Sequence, residues 1–172
     1  MRTGGWNNPP LRLYHGTVDV HIPSILAGID VTRGRRTVDF GRGFYTTTAW
    51  YQAAAWAEQV ADRRLRGRAR PAVIQFDVAR DALASLDTLW FIRAGRDAGD
   101  FWTFAAYCRR GGLAHRPDGS WYDLVVGPLI QNYAHRLTLA DSDQISFHTA
   151  RAAGILDASS PREMRGWPRR AH

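Results

Sequence analysis

Three short stretches carry ligand-suited groups at the ends of strand-like segments. The first is His15-Gly16-Thr17, an imidazole followed by a glycine that can bare its N–H and C=O to a ligand. The second, Phe44-Tyr45-Thr46, follows Asp39-Phe40-Gly41-Arg42-Gly43, a loop with two glycines one residue apart. Glycines let the backbone take positive φ and approach a ligand without a Cβ in the way. A tyrosine delivered just after such a loop can wall a flat heteroaromatic ring. Taken alone, the stretch reads first as an ordinary loop–strand–helix junction with Tyr45 as a half-buried core residue, since glycine pairs are common in turns. The third stretch is Asp143-Gln144-Ile145. It opens a segment in which Gln144, Ser146 and His148 share one face while Ile145 and Phe147 turn to the core.

Other chemistries lack their residues. There is no P-loop, and Gly41-Arg42-Gly43 runs into a strand rather than a helix, so the dinucleotide fingerprint fails in its required context. No G-x-S-x-G elbow occurs. No His-Glu-x-x-His occurs either, and His15, His21, His115, His135 and His148 are scattered, so no metal site is expected. The single cysteine, Cys108, has no partner within the chain.

The elements that must position these groups follow from periodicity. Leu11 to Thr17 alternates like a strand with one buried face, and Ile22 to Gly28 reads as a short helix with Pro near its start. Phe44 to Thr47 is a short strand, and Thr48 is suited to cap the helix after it. That helix, Ala49 to Leu65, repeats Trp50, Ala53, Ala54, Ala57, Val60 and Ala61 at helical spacing. Ala72 to Val78 is a buried strand, and Asp81 is placed to cap a helical turn through Leu86. Asp97 or Asp100 is placed to cap a helix bearing Phe101, Trp102, Phe104, Ala105 and Tyr107, stopped by Gly111-Gly112. Trp121 to Pro128 is a further strand, then a connection of about a dozen residues leads to Asp143–Thr149 and a last helix from Ala150 to Leu156. Residues 1–10 read as a disordered lead-in, 11–158 as one domain, and 159–172 as a basic flexible tail. The Arg63 to Arg70 run reads as a solvated face or linker, with a phosphate-contacting patch as the alternative.

A chain of 172 residues with 45% hydrophobic content can bury one substantial core. Its net charge of +7 comes entirely from arginine, since lysine is absent. Arg-for-Lys usage is what a GC-rich coding sequence produces, while a basic surface also attracts polyanions such as nucleotides. No run is long and apolar enough to span a bilayer and no signal-peptide pattern is present, so the cytoplasm is the expected location.

Taken together, "LYHGT", "DFGRGFYTT" with Gln52 and Trp56 after it, "YDLVVGP" and "DQISFHT" resemble a bacterial domain family of the ADP-ribosyltransferase superfamily. The branch is the His-Tyr-Glu one that includes diphtheria toxin and the poly-ADP-ribose polymerases, and the resemblance covers about Leu11 to Leu156. It implies an α+β fold, a split antiparallel β-sandwich with flanking helices and NAD, the co-substrate, in the cleft. It implies that His15, Tyr45 and Gln144 are catalytic, and that His15, Gly16, Thr17, Gly43, Tyr45 and Gln144 bind NAD. His15 would bond a ribose hydroxyl, Gly16 would clamp the nicotinamide amide, and Tyr45 would stack on the ring. Gln144 stands where the branch usually has glutamate; it cannot supply a negative charge or act as a base, but it can orient a ribose hydroxyl. The implied activity is mono-ADP-ribosyl transfer to a macromolecular acceptor, protein or nucleic acid. A toxin or effector of this kind would be delivered to a target cell and have a cognate inhibitor protein. The alternatives are an NAD glycohydrolase and a non-catalytic nucleotide- or protein-binding module.

Overall fold

The computed structural model describes residues 8–65, 68–92 and 95–164. Strand β1 (Leu11–Val18) pairs antiparallel with β3 (Pro71–Val78), from Leu11 opposite Val78 to Val18 opposite Pro71. Both strands are covered on both faces, which explains the nearly unbroken apolar run Ala72-Val73-Ile74-Gln75-Phe76. One face gives Leu13, Ile74 and Phe76 to the main core. The short helix α1 (Ile22–Leu26) follows β1, and the sheet's other face gives Tyr14 and Val73 to Ala53 and Ala54 of helix α2 (Trp50–Leu65). Alanines repeat on that helical face because only small side chains let a helix ride this close to a sheet.

The second sheet has the order β2-β8-β5-β4: Phe44–Thr46, Gln144–Phe147, Leu124–Gly127 and Thr88–Trp90. Its inner face carries Phe44, Ile145, Phe147, Leu124 and Val126 against the first sheet, and this main core is closed by Ala152, Ala153 and Leu156 of helix α5 (Ala150–Ala158). On the outer face Val125, with Phe40 of the loop before β2, packs against Phe101 and Trp102 of α4 (Gly99–Arg109). The chain is therefore a mixed α+β fold with two facing sheets, α2 outside one and α4 outside the other.

Several local expectations are corrected. Strand β4 runs parallel to β5, so the second sheet is not purely antiparallel. The long connection before β8 contains a small hairpin of β6 (Ile130–Asn132) and β7 (Leu137–Thr138). Thr48 does not cap α2, because its hydroxyl donates to Asp143 instead; the Ala49 amide is taken by Thr47 Oγ1 at 3.0 Å. Asp81 lies inside the first turn of α3 (Arg80–Ala84), whose cap position is Ala79. Asp100 likewise lies within α4, accepting from the Phe101 amide at 2.8 Å, and Ala98 holds the cap position. In the segment expected to be a flexible tail, Arg162–Glu163 forms β9, which pairs with β3, and Arg162 bonds Asp77 at 2.6 Å. Residues 165–172, most of the lead-in (1–7) and residues 66 and 67 of the arginine-rich linker lie outside the described residues. Among the described residues no helix is long and apolar enough to cross a membrane.

Candidate functional site

The two sheets meet at one point and then part. Tyr14 of β1 and Thr47, the residue just after β2, exchange both main-chain hydrogen bonds, at 2.8 and 2.9 Å, and among the described residues this is the only bridge that joins the two sheets here. Strand parity then aims the N–H and C=O of Gly16, two residues on, at the same edge, and those of Tyr45 back toward it. A Gly16–Tyr45 pair would extend the ladder. Instead the strands separate, and the His15 side chain enters the joint with Nδ1 donating to the Tyr45 carbonyl at 2.6 Å. A carbonyl accepts only, so Nδ1 carries the hydrogen. Burial pushes the His15 imidazolium down to about 4, so at neutral pH the ring is uncharged and Nε2 is a bare acceptor. The ring itself stacks on Phe44 at 4.2 Å.

Gly16 has a second reason to be glycine. A Cβ there would sit 2.0 Å from the Ala53 carbonyl oxygen, so β1 and α2 are in backbone contact at this point. Gly43 is required in the same way: its Cβ would strike the His148 ring at 2.7 Å, and a Cβ on Gly34 would meet the Gly43 carbonyl oxygen at 2.4 Å. Of the loop's two glycines only Gly41 has positive φ, +79°. The close approach expected for a ligand at Gly43 is made by the protein's own chain.

The loop from Asp39 to Gly43 is wired by side chains from distant elements. Tyr45 donates its hydroxyl to the Gly41 carbonyl at 2.6 Å and accepts from the Phe40 amide at 3.1 Å. Burial holds the Tyr45 phenol well above its ordinary range, so this hydroxyl keeps its proton. His115 Nε2 donates to the Phe40 carbonyl at 2.9 Å, and His148 Nδ1 donates to the Arg42 carbonyl at 2.9 Å. The two imidazoles, scattered in the sequence, lie edge to face with centroids 4.4 Å apart. Burial pushes His115 down to about 4; burial and the His115 neighbour push His148 to about 3. Cys108 is buried and its thiol is pushed up to about 12 by burial and by Asp39, so it is not a nucleophile.

Gln144, Ser146 and His148 share a face of β8 as expected, but that face is not solvated: they are 8%, 0% and 7% exposed. The outer layer of α4 and the 115–122 segment covers it. Gln144 Nε2 donates to Asp39 Oδ2 at 2.8 Å and to the Pro128 carbonyl at 3.2 Å. Asp39 Oδ1 in turn takes Arg109, at 2.7 Å from Nε and 2.5 Å from Nη2. Of the six predicted residues, His15 and Tyr45 are half-buried, while Gly16, Thr17, Gly43 and Gln144 are buried. His15 and Tyr45 touch through a main-chain carbonyl, and Tyr45 and Gln144 share the outer face of adjacent strands. Thr17 lies further along β1, at the end opposite Ala72.

Residues without an assigned role in the sequence also build the site. Asp143 accepts from Thr47 Oγ1 at 2.6 Å and the Thr48 amide at 2.8 Å, tying the β2–α2 turn to the start of β8. Gln52 of α2 clasps the Asp143 backbone from both ends, its Nε2 donating to the carbonyl at 2.7 Å and its Oε1 accepting from the amide at 3.3 Å. On a helix, Trp56 falls between the directions of Gln52, which faces β8, and Ala53, which faces Gly16. Its indole is 48% exposed. Among the described residues no group of His, Cys, Asp and Glu could hold a metal ion. Two surface depressions among the described residues, one lined by Trp90, Phe91 and Asp97 and one by Trp102, Arg110 and Tyr133, include none of His15, Gly16, Tyr45 and Gln144 in their walls.

A family model described as protein of unknown function (DUF3990) matches residues 11–139. The chain belongs to that family. No curated protein and no solved structure matches it. In this DUF3990 chain the matched residues take in His15, Asp39, Tyr45 and Arg109, and Gln144 follows five residues after the match ends.

Proposed function

We propose that this DUF3990 chain is an NAD-consuming enzyme of the ADP-ribosyltransferase type, with NAD entering where β1 and β2 part. The observation that carries the reading is the joint itself: the peptide edge of Gly16 faces the parting, beside a neutral His15 whose Nδ1 is spent on the Tyr45 carbonyl. The Gly16 N–H and C=O match the carboxamide of nicotinamide, donor to acceptor and acceptor to donor. His15 Nε2 accepts from a ribose hydroxyl. In the reaction the bond between ribose C1′ and the nicotinamide nitrogen breaks. Its electron pair leaves with the ring, which departs neutral, and an acceptor nucleophile attacks C1′ and releases a proton. The acceptor is a macromolecule in transfer and water in hydrolysis.

One observation favours a second reading, a module that binds a nucleotide without cleaving it. Position 144 has no carboxylate, and both of its amide hydrogens are already committed. Release of nicotinamide from labelled NAD, with titration calorimetry in parallel, separates the two. The enzyme releases nicotinamide, and His15→Ala lowers turnover by roughly tenfold or more, the scale of one hydrogen bond of about 1–1.5 kcal/mol. Heat of binding without nicotinamide release selects the module, and neither signal refutes NAD as the ligand.

A further inference from the structure

The arrangement around Gln144 has a feature that a lone amide does not need. Its NH2 group faces two acceptors that cannot donate, the Asp39 carboxylate and the Pro128 carbonyl. The amide orientation is thereby settled: Nε2 is held on Asp39 and Oε1 is turned away from it. Asp39 is 7% exposed and joins Gln144 on one oxygen and Arg109 on the other. A glutamate at 144 would set two carboxylates within hydrogen-bonding distance of each other, and only one could keep its charge. Asp39 and Gln144 thus form a matched carboxylate–amide pair. The other carboxylate near the start of β8, Asp143, is spent on Thr47 and Thr48.

From this we infer that Asp39 is a positioning residue of the site and supplies, through the Gln144 amide, the negative character that position 144 lacks. Its carboxylate polarises the amide N–H and so increases the negative charge on Oε1. Oε1 is then a fixed, strengthened acceptor for a ribose hydroxyl and a stabiliser of positive charge developing at C1′. The field of Asp39 also reaches its neighbours, adding to the upward shifts of the Tyr45 phenol and the Cys108 thiol. This inference rests on the NAD reading and adds to it the source of the charge.

The test exchanges the two groups across the same hydrogen bond. Nicotinamide release from NAD is measured for wild type, Asp39→Asn, Gln144→Glu and the double variant Asp39→Asn/Gln144→Glu, each checked by thermal melting. In Asp39→Asn the Pro128 carbonyl still holds Nε2 but the charge that polarises the Gln144 amide is gone, so kcat falls by roughly tenfold or more while KM stays within about twofold. The double variant places the carboxylate at 144 and the amide at 39, and recovers kcat to within about threefold of wild type. A purely structural Asp39 would change melting without that split between kcat and KM. An active wild type with Asp39→Asn indifferent, or a folded double variant that stays as slow as the single one, overturns the inference alone. A wild type that releases no nicotinamide overturns the NAD-cleavage reading and this inference with it. Should Asp39→Asn fail to fold, the double variant decides: wild-type-like kcat supports the pairing, and an unfolded or inactive protein overturns it.

Discussion

Lowering the pH from 7 to 5 should destabilise this protein by several kcal/mol, and the cause is buried imidazole rather than carboxylate chemistry. In the unfolded chain a histidine takes up its proton near 6.5. In the folded chain His148 is pushed down to about 3 and His115 to about 4, both mainly by burial. Between pH 6.5 and 4 the unfolded state therefore binds more protons, and stability falls as the pH falls. Over the 1.5 units from 6.5 to 5, each histidine contributes about 2 kcal/mol, so the pair contributes about 4 kcal/mol. That is a large share of the roughly 5–15 kcal/mol that holds an ordinary domain together. His15, also lowered, acts in the same direction. The carboxylates with lowered values, Asp30, Asp77 and Asp118, lose their contributions only below about pH 4 and are mostly solvent-facing, so they do not compete in this window. Urea unfolding followed by tryptophan fluorescence at pH 7, 6 and 5 gives the slope directly. His148→Gln retains a donor for the Arg42 carbonyl but does not titrate, so its stability should fall by about 2 kcal/mol less over the same range. A stability constant to within about 1 kcal/mol from pH 7 to 5, or an unchanged slope in His148→Gln, refutes the argument.

Two substitutions test the joint and the loop. Gly16→Ala forces a Cβ to within 2.0 Å of the Ala53 carbonyl oxygen, and α2 must retreat by about 1–1.5 Å to restore ordinary contact. We expect a loss of roughly 1–3 kcal/mol, or about 2–4 °C in Tm for each kcal/mol; an unchanged melt would show that the strand and helix are not in backbone contact. Tyr45→Phe removes the hydroxyl that bonds Gly41 and Phe40 and should cost roughly 1–3 kcal/mol in urea unfolding at pH 7. Wild-type stability would mean that His115, His148 and the Asp39 contacts to Gln144 and Arg109 hold the loop without the Tyr45 hydroxyl.

The local elements and the start of β8 at Gln144 were legible in the sequence, because each depends on neighbours a few residues away; His15 and Gly16 do not end their strand as their types suggested, since β1 stays paired with β3 through to Val18. Alanines at helical spacing made α2, the apolar run made β3, and the alternation from Gln144 to Phe147 made β8. That Gln144, Ser146 and His148 share a face followed from a period of two. What covers that face did not follow, since it depends on a sheet order of β2-β8-β5-β4 that no spacing encodes. For the same reason the pairing of Gln144 with Asp39, 105 residues apart, belongs to the tertiary structure alone. So does the contact that turns His115 and His148 into a joint support for one loop. The glycines show the division most directly. Their positions next to His15 and before Tyr45 suggested room for a ligand, while the packed backbones of Ala53 and Gly34 and the ring of His148 reveal that Gly16 and Gly43 are also glycine because the protein's own chain lies there. A glycine records only that a side chain is absent; which neighbour occupies the space is decided when the sheets and helices close on one another.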